Sequence, residues 1–188
     1  VQLVAMQFPF GAPSLPAGDG YSTIPFLTKP RSRGNVRLVS ADPRQSLRID
    51  PHYLEESIDQ DNMIAGLDRA IEYGSNRAMK DFFGGLHTTA PLKTRSDKLA
   101  FIKQNGAPGF HFVGTCSAGY DPTNSVVDAR FRVWGIEGLC VVDASVIPEV
   151  PVVNTQPAVL TIAQLAADQL IGEVNGAGAA AGTVASRC

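Results

Sequence analysis

Three histidines are the side chains of this chain best suited to proton transfer near neutral pH: His52, His87 and His111. His52 lies in a turn-like segment and His87 in a loop, so both are predicted to be structural. His111 and Cys116 are close in sequence, but no further cysteine or histidine lies nearby to complete a zinc site. Cys116 has no accompanying base and orienting group, and the chain has no Gly-x-Ser-x-Gly elbow.

The composition excludes several classes of partner. The chain has 188 residues, of which 44% are hydrophobic and 18% are charged, and its net charge is −2. No run is strongly basic, so we expect no binding to nucleic acid or to an anionic membrane. No apolar stretch reaches the roughly 18 residues of a membrane span. The low charge content fits either a chain that buries surface against another part or a compact domain rich in glycine and proline.

The first hundred residues contain the elements of a mixed domain. Residues 1–50 are β-rich, with strands predicted over 1–8 and 21–27, a strand after the Gly34-Asn35 reversal, and a short one over 46–49. A helix follows, with Asp59 or Asp61 as its cap and Gly84-Gly85 as its end. Its inward positions are Met63, Ile64, Leu67 and Ile71. A shorter helix is predicted over 96–104, with Leu99 and Ile102 inward.

The remaining residues must position His111. Segments 131–133 and 139–142 are predicted to be strands. The last helix begins at Pro157, a favoured first helical position, and ends at Gly172. Apolar residues occupy most of its circumference, so we expect it to be covered on most sides. Residues 173–188 are small and of low complexity, and they are predicted to be disordered.

Five short motifs occur in a fixed order after residue 110. They are His111 with Gly114-Thr115-Cys116, Val126-Val127-Asp128, Arg132 to Gly135, Val142 to Ser145, and Asn154 before the last helix. This pattern resembles the C-terminal signature of the glucose–methanol–choline (GMC) oxidoreductases, and the likeness extends over residues 20–172. Ala118 and Trp134 depart from it, at positions where the family usually has methionine and histidine.

The resemblance implies a fold of the α/β plus α+β class. Residues 1–109 would be a portion of the substrate domain, with an antiparallel sheet and helices, and residues 110–172 the C-terminal piece of the FAD-binding domain. The cofactor implied is FAD, which the family holds on an N-terminal Gly-x-Gly-x-x-Gly turn that these residues lack. The chain would therefore be a fragment, a cleavage product or one subunit of a split enzyme. The N-terminal FAD-binding part of the same enzyme is the expected partner, as a separate chain across a large apolar interface.

The resemblance also assigns roles to individual residues. His111 would accept the proton of an alcohol substrate, and Asn154 would hydrogen-bond the substrate oxygen. Both also have structural interpretations, His111 as a buried histidine at a strand end and Asn154 as a helix cap. The residues implied to contact the cofactor are Phe110, Asp143, Ala144, Thr155, Gln156 and Pro157.

The resemblance predicts oxidation of a primary or secondary alcohol, aromatic alcohols included, to the carbonyl, with hydride transfer to flavin N5. Two alternatives stay open. Some family members cleave cyanohydrins with a redox-silent FAD, so a hydroxynitrile lyase is one. The other is a non-catalytic subunit that completes a partner's fold.

Overall fold

The computed structural model of the chain describes residues 1–7, 20–86, 88 and 90–179. By the density of their contacts the residues form two compact units. The first consists of Val1–Gly34 and Ile49–Gly109, and the second of Asn35–Arg48 together with the chain from Phe110 onward. Residues 35–48 therefore group with the C-terminal residues, although in sequence they interrupt the first unit.

The strands form two short antiparallel sheets in the described part of the chain. β1 (Gln2–Met6) pairs antiparallel with β2 (Ser22–Phe26), with Gln2 opposite Phe26 and Met6 opposite Ser22. β3 (Asn35–Arg37) pairs with β4 (Arg48–Asp50) in a second two-stranded sheet. The predicted antiparallel pairing is present, but each sheet stops at two strands.

α1 (Ser57–Gly74) packs directly on the first sheet. A Cβ at Gly66 would lie only 2.8 Å from the side chain of Val1 and 3.0 Å from that of Pro25, so this close approach requires glycine. Leu67 is buried on this face, as predicted. The prediction that the helix runs to Gly84-Gly85 is wrong, because it ends at Gly74 and a 3₁₀ turn over Arg77–Met79 follows.

Asp59 and Asp61, the predicted caps of α1, do not cap it, since the helix already begins at Ser57, after Glu56. Asp59 is only 1% exposed. Its carboxylate accepts hydrogen bonds from two backbone N–H groups and one hydroxyl of the loop before β3. The N–H of Arg31 donates at 2.9 and 3.0 Å, the N–H of Ser32 at 2.7 Å, and the Ser32 hydroxyl at 2.6 Å. The helix start and this loop are thus held together by one buried carboxylate.

The pKa of Asp59 reflects two opposing causes. Burial alone would raise it, but the hydrogen bonds from Ser32 and Arg31 and the positive charge of Arg33 lower it below its ordinary value. The Ser32 hydroxyl oxygen also accepts the N–H of Glu56, the residue before α1, at 3.1 Å. Ser32 therefore connects this loop both to the Asp59 carboxylate and to the residue that precedes α1.

α2 (Arg95–Asn105) carries a complete capping box. The Thr94 hydroxyl accepts the N–H of Asp97 at 3.1 Å, and the Asp97 carboxylate accepts the N–H of Thr94 at 2.9 Å. The helix occupies the region predicted over 96–104, and Ile102 is buried against the first unit as expected.

The second unit is built mostly from turns around a small core. The buried hydrophobic residues of this core are Val127, Phe131, Val146 and Ala166. The predicted strands over 131–133 and 139–142 are wrong, because only isolated bridges form there, between Val127 and Val133 and between Arg132 and Cys140. Phe131 has a φ of +64°, and glycines at 135 and 138 have φ values of +74° and +73°, which interrupt an extended backbone.

Trp134, the single tryptophan of the chain, fixes one of these turns in the second unit. Its indole N–H donates to the Ser125 hydroxyl oxygen at 3.0 Å, and that hydroxyl donates to the carbonyl oxygen of Asp121 at 2.6 Å. A Cβ at Gly119 would lie 2.7 Å from the Ser125 side chain, so the turn closes tightly.

α3 (Gln156–Ala179) is longer than predicted. The helix passes through Gly172 to Ala179, so the predicted end at Gly172 is wrong, and residues 173–179 of the predicted disordered tail are helical. A glycine within an alanine-rich helix costs only about 1 kcal/mol. Residues 180–188 lie outside the described residues. No helix within the described part of the chain combines the length and apolar character needed to cross a membrane.

The prediction that α3 is covered on most sides is not met among the described residues, because one side of the helix is exposed. Ala166 is buried and Ile162 packs against the core of the second unit. Leu160 is 61% exposed and Ile171 is 58% exposed, and helical spacing places both on another side of the same helix. This apolar face has no cover within the described residues of this chain.

Shortening Val127 to alanine is expected to destabilise the second unit by about 2 kcal/mol, because two buried methyl groups are lost and a small cavity remains. Val127 is fully buried, whereas its neighbour Val126 is 37% exposed. The matched change Val126→Ala should cost less than about 1 kcal/mol. Urea unfolding followed by circular dichroism compares the two, and equal losses would contradict the assigned core.

Candidate functional site

His111 is half-buried in the second unit and its ring has a defined contact. Nδ1 of the ring lies 3.1 Å from the Oγ1 atom of Thr155, which is 44 residues later in the chain. Thr155 directly precedes α3 and is 9% exposed. The ring of the predicted proton acceptor is therefore attached to the start of the last helix.

The loop after His111 is anchored to the turn at Ser145. The carbonyl oxygen of Ser145 accepts the N–H groups of Gly114 and Cys116, each at 3.0 Å, and Ala118 donates to the carbonyl of Val146 at 2.9 Å. Gly114 has a φ of +89°, which favours glycine. These bonds fix the backbone near His111, while Thr155 fixes its ring.

Phe110 immediately precedes His111 and is held in an unusual conformation. Its φ is +59°, in the left-handed region that a bulky residue rarely adopts, and its side chain is 78% exposed. Such backbone strain is concentrated at functional sites in proteins. The strained residue and the neighbouring Phe112, which is 61% exposed, leave an aromatic surface beside His111 in the sequence.

Asp143 begins a 3₁₀ turn over Ala144–Val146. Its carboxylate accepts the N–H of Ser145 at 2.7 Å, so the side chain acts as the cap of this turn. The Ser145 hydroxyl is buried and has no hydrogen-bond partner among the described residues. A buried hydroxyl without a partner is costly, and sequence reasoning did not single out this residue.

The start of α3 presents polar groups to the surface. Asn154, Gln156 and Pro157 are exposed, and the carbonyl of Thr155 accepts the N–H of Val159 at 3.0 Å. The first N–H groups of a helix lack partners within it, and the helix dipole makes this end positive. Pro157 has no N–H, so the backbone donors of the first turn come from its neighbours.

The predicted site residues are thus brought together in part. His111 and Thr155 are in direct contact, and the loop of His111 is bonded to the turn that Asp143 caps. Asn154 and Phe110 are exposed, and no hydrogen bond of the Asn154 side chain occurs within the described ranges. The sequence did not indicate the contact between the histidine and the threonine, because no local spacing relates residues so far apart.

The other two histidines and a possible metal site were the remaining candidates for a functional role. His52 lies in the first unit, where Nδ1 is 3.1 Å from the Arg33 carbonyl oxygen and Nε2 is 3.2 Å from the Asp50 carboxylate. These contacts fit the predicted structural role. His87 lies outside the described residues. Among the residues that the structure describes, no cluster of His, Cys, Asp and Glu could hold a metal ion.

Comparisons with protein families and with individual proteins identify the same group of enzymes. The family model described as GMC oxidoreductase matches residues 30–163. An alcohol dehydrogenase [acceptor] of Pseudomonas putida is 35% identical over 159 residues, which are 84% of this chain and 29% of that protein. A choline oxidase of Arthrobacter globiformis is 36% identical over 154 residues, covering 80% of this chain and 28% of the relative.

Solved structures agree with the sequence matches. The pyridoxine 4-oxidase from Mesorbium loti superposes with a TM-score of 0.78 and 32% identity, over 85% of this chain and 31% of that structure. A formate oxidase of Aspergillus oryzae RIB40 gives a TM-score of 0.81 and 28% identity, over 88% and 29% of the two chains. This chain therefore spans about a third of the length of the relatives that it matches.

Proposed function

Since the chain belongs to the GMC oxidoreductase family, whose C-terminal region it covers, we propose that it provides the proton-accepting side of the active site in an FAD-dependent alcohol oxidoreductase. The observation that carries this proposal is the contact of His111 with Thr155, which holds a histidine ring at the start of α3. A ring fixed in this way suits acceptance of a proton from a bound substrate.

The residues at the start of α3 fit a flavin. Its pyrimidine edge becomes negative on reduction, and a helix N-terminus offers unpaired N–H groups and a positive dipole end. The buried Ser145 hydroxyl, which has no partner among the described residues, would gain one from a group bound beside the Asp143 turn. The residues proposed to hold FAD are Phe110, Asp143, Ala144, Thr155, Gln156 and Pro157. When bound, FAD supplies the hydride acceptor, at N5.

His111 is proposed to take the hydroxyl proton of the substrate at Nε2, the ring nitrogen that does not contact Thr155. An alcohol loses a proton from oxygen and a hydride from carbon, so a base near the hydroxyl lowers the barrier to oxidation. Asn154 is proposed to donate its side-chain amide to the substrate oxygen as negative charge develops there. Because Asn154 does not titrate, His111 is the proton acceptor of the pair.

The partner is proposed to be the N-terminal FAD-binding part of the same enzyme. The matched relatives are about three times longer than the matched span, and one side of α3 exposes the apolar side chains Leu160 and Ile171. A contiguous exposed apolar face marks an interaction surface. In the proposed arrangement this part is a separate chain, although the matched relatives contain both regions in one polypeptide.

The substrate is proposed to be a primary or secondary alcohol. Among the relatives are an alcohol dehydrogenase, a choline oxidase and a pyridoxine 4-oxidase, and the compounds in these names carry hydroxyl groups. The exposed Phe110 and Phe112 support an aromatic alcohol as the first compound to test.

The proposal is tested by adding benzyl alcohol to the purified, flavin-containing enzyme without oxygen. Bleaching of the flavin absorbance band is the expected result, because the substrate reduces the flavin. A band that no alcohol in a panel of primary and secondary alcohols bleaches would contradict the proposal. Release of an aldehyde and cyanide from a cyanohydrin by the same preparation would then identify a lyase.

A further inference from the structure

We propose that Thr155 is the positioning residue of His111. Its hydroxyl oxygen accepts the N–H at Nδ1 of the neutral ring, and this leaves the lone pair of Nε2 free for the substrate proton. The inference rests on the proposed function, since it takes His111 as the proton acceptor, and it adds a role for the Thr155 side chain.

The geometry limits the movement of both groups. The Oγ1 atom of Thr155 lies 3.1 Å from Nδ1, within hydrogen-bond distance. Thr155 is 9% exposed, and its carbonyl oxygen is bonded to the N–H of Val159 in the first turn of α3. The hydroxyl is therefore attached to a backbone that the helix itself holds in place.

The direction of this hydrogen bond decides whether His111 can act as a base. A neutral imidazole carries one proton, on either Nδ1 or Nε2, and the partner of one nitrogen sets the state of the other. If Nδ1 donates to Thr155, Nε2 can accept a proton. If Thr155 donated to Nδ1 instead, Nε2 would carry the proton and could not accept another. After proton transfer, Nδ1 still donates to Thr155.

Thr155 occupies a position where a threonine usually caps a helix, but its hydroxyl contacts the histidine. A capping threonine accepts an N–H from the first turn of its own helix. Thr94 does so at the start of α2, where its hydroxyl accepts the N–H of Asp97 at 3.1 Å. No such bond to Thr155 is found among the described residues, whereas the ring of His111 lies at 3.1 Å. The two threonines thus have similar positions and different partners.

The first readout is the tautomer of His111, which does not depend on turnover. The flavin-loaded enzyme is labelled with ¹⁵N-histidine, and the His111 signals are identified by their loss in His111→Asn. At a pH where the ring is neutral, wild-type enzyme is expected to show the Nδ1–H tautomer. Thr155→Val, which removes the hydroxyl and keeps the shape, is expected to shift the population to the Nε2–H tautomer.

Two further variants complete the design. Thr155→Ser keeps a hydroxyl and should restore the wild-type tautomer. Thr161→Val is the matched control, because the Thr161 hydroxyl donates to the Pro157 carbonyl at 2.9 Å in the same helix and Thr161 is exposed. This control should leave the tautomer and the reduction rate unchanged.

The second readout is the rate of flavin reduction by substrate. Thr155→Val should slow it about tenfold, as for loss of one hydrogen bond, while substrate affinity changes little. An unchanged tautomer in Thr155→Val, or a Thr155→Ser enzyme that behaves like the valine variant, would overturn the inference. If no alcohol reduces the flavin, the proposed function fails, and the tautomer measurement still decides the role of Thr155.

Discussion

Replacing His111 by alanine is expected to slow reduction of the enzyme-bound flavin by alcohol about a thousandfold, within the range that a lost general base costs. The alanine removes the only ring proposed to accept the hydroxyl proton, and water in its place would be neither fixed nor basic enough. The rate is measured by mixing enzyme and alcohol anaerobically and following the flavin absorbance.

The matched control is His52→Ala. His52 belongs to the first unit and contacts Asp50, Glu55 and the carbonyl of Arg33. Its removal should change the rate less than about twofold, within the small effects of substitutions outside a site. The flavin content of both variants is read from the visible spectrum. A His111→Ala enzyme that contains flavin and is slowed less than about tenfold would remove His111 from the proposed mechanism.

Replacing Asp59 by asparagine is expected to lower the free energy of unfolding by about 3 kcal/mol. The substituted amide would place an NH₂ group where one carboxylate oxygen now accepts hydrogen bonds from the Arg31–Ser32 loop. Buried donors would then lack an acceptor. Asp61→Asn is the control, since Asp61 is exposed, forms an ion pair with Arg95 and should contribute less than about 1 kcal/mol.

The same carboxylate gives this stability a pH dependence. The pKa of Asp59 is lowered in the folded chain, so the stabilisation it provides is complete above the ordinary carboxyl value. It is lost as the pH falls below that value and through the lower folded one. Urea unfolding of wild-type and Asp59→Asn protein should therefore converge on acidification. A difference in stability that stays constant through this acid range would show that Asp59 is not the titrating group.

Among the described residues, the four strands before residue 51 and the three α-helices were predicted from the sequence, whereas two helix ends and the strands predicted after residue 130 were wrong. Particular residues explain these outcomes. The region of α2 was predicted from the spacing of Leu99 and Ile102, and the structure adds a local capping box of Thr94 and Asp97 at its start. The predicted strands after residue 130 failed because Phe131 adopts a positive φ, which no propensity of phenylalanine indicates. The start of α1 was misplaced because Asp59 does not cap the helix, and its carboxylate instead accepts hydrogen bonds from Arg31 and Ser32, which are distant in sequence.

In the candidate site, too, the sequence predicted what the local order of residues records and missed a contact between distant residues. Motif spacing identified His111 and the start of the last helix, since both are recorded in the order of residue types along the chain. The contact between His111 and Thr155 spans 44 positions and depends on how the loop of Gly114 bonds to Ser145. Such a contact is a product of tertiary structure, so no local pattern could have indicated it.

The single tryptophan gives the second unit an optical signal of its own. Trp134 belongs to that unit, and its indole is held by the Ser125 hydroxyl, whereas Tyr21, Tyr53 and Tyr73 belong to the first. Selective excitation of tryptophan in this chain therefore reports only the environment of the unit that carries His111. Because loss of the Ser125 contact exposes the indole N–H to water, a red shift of its emission marks the opening of this turn separately from changes in the first unit.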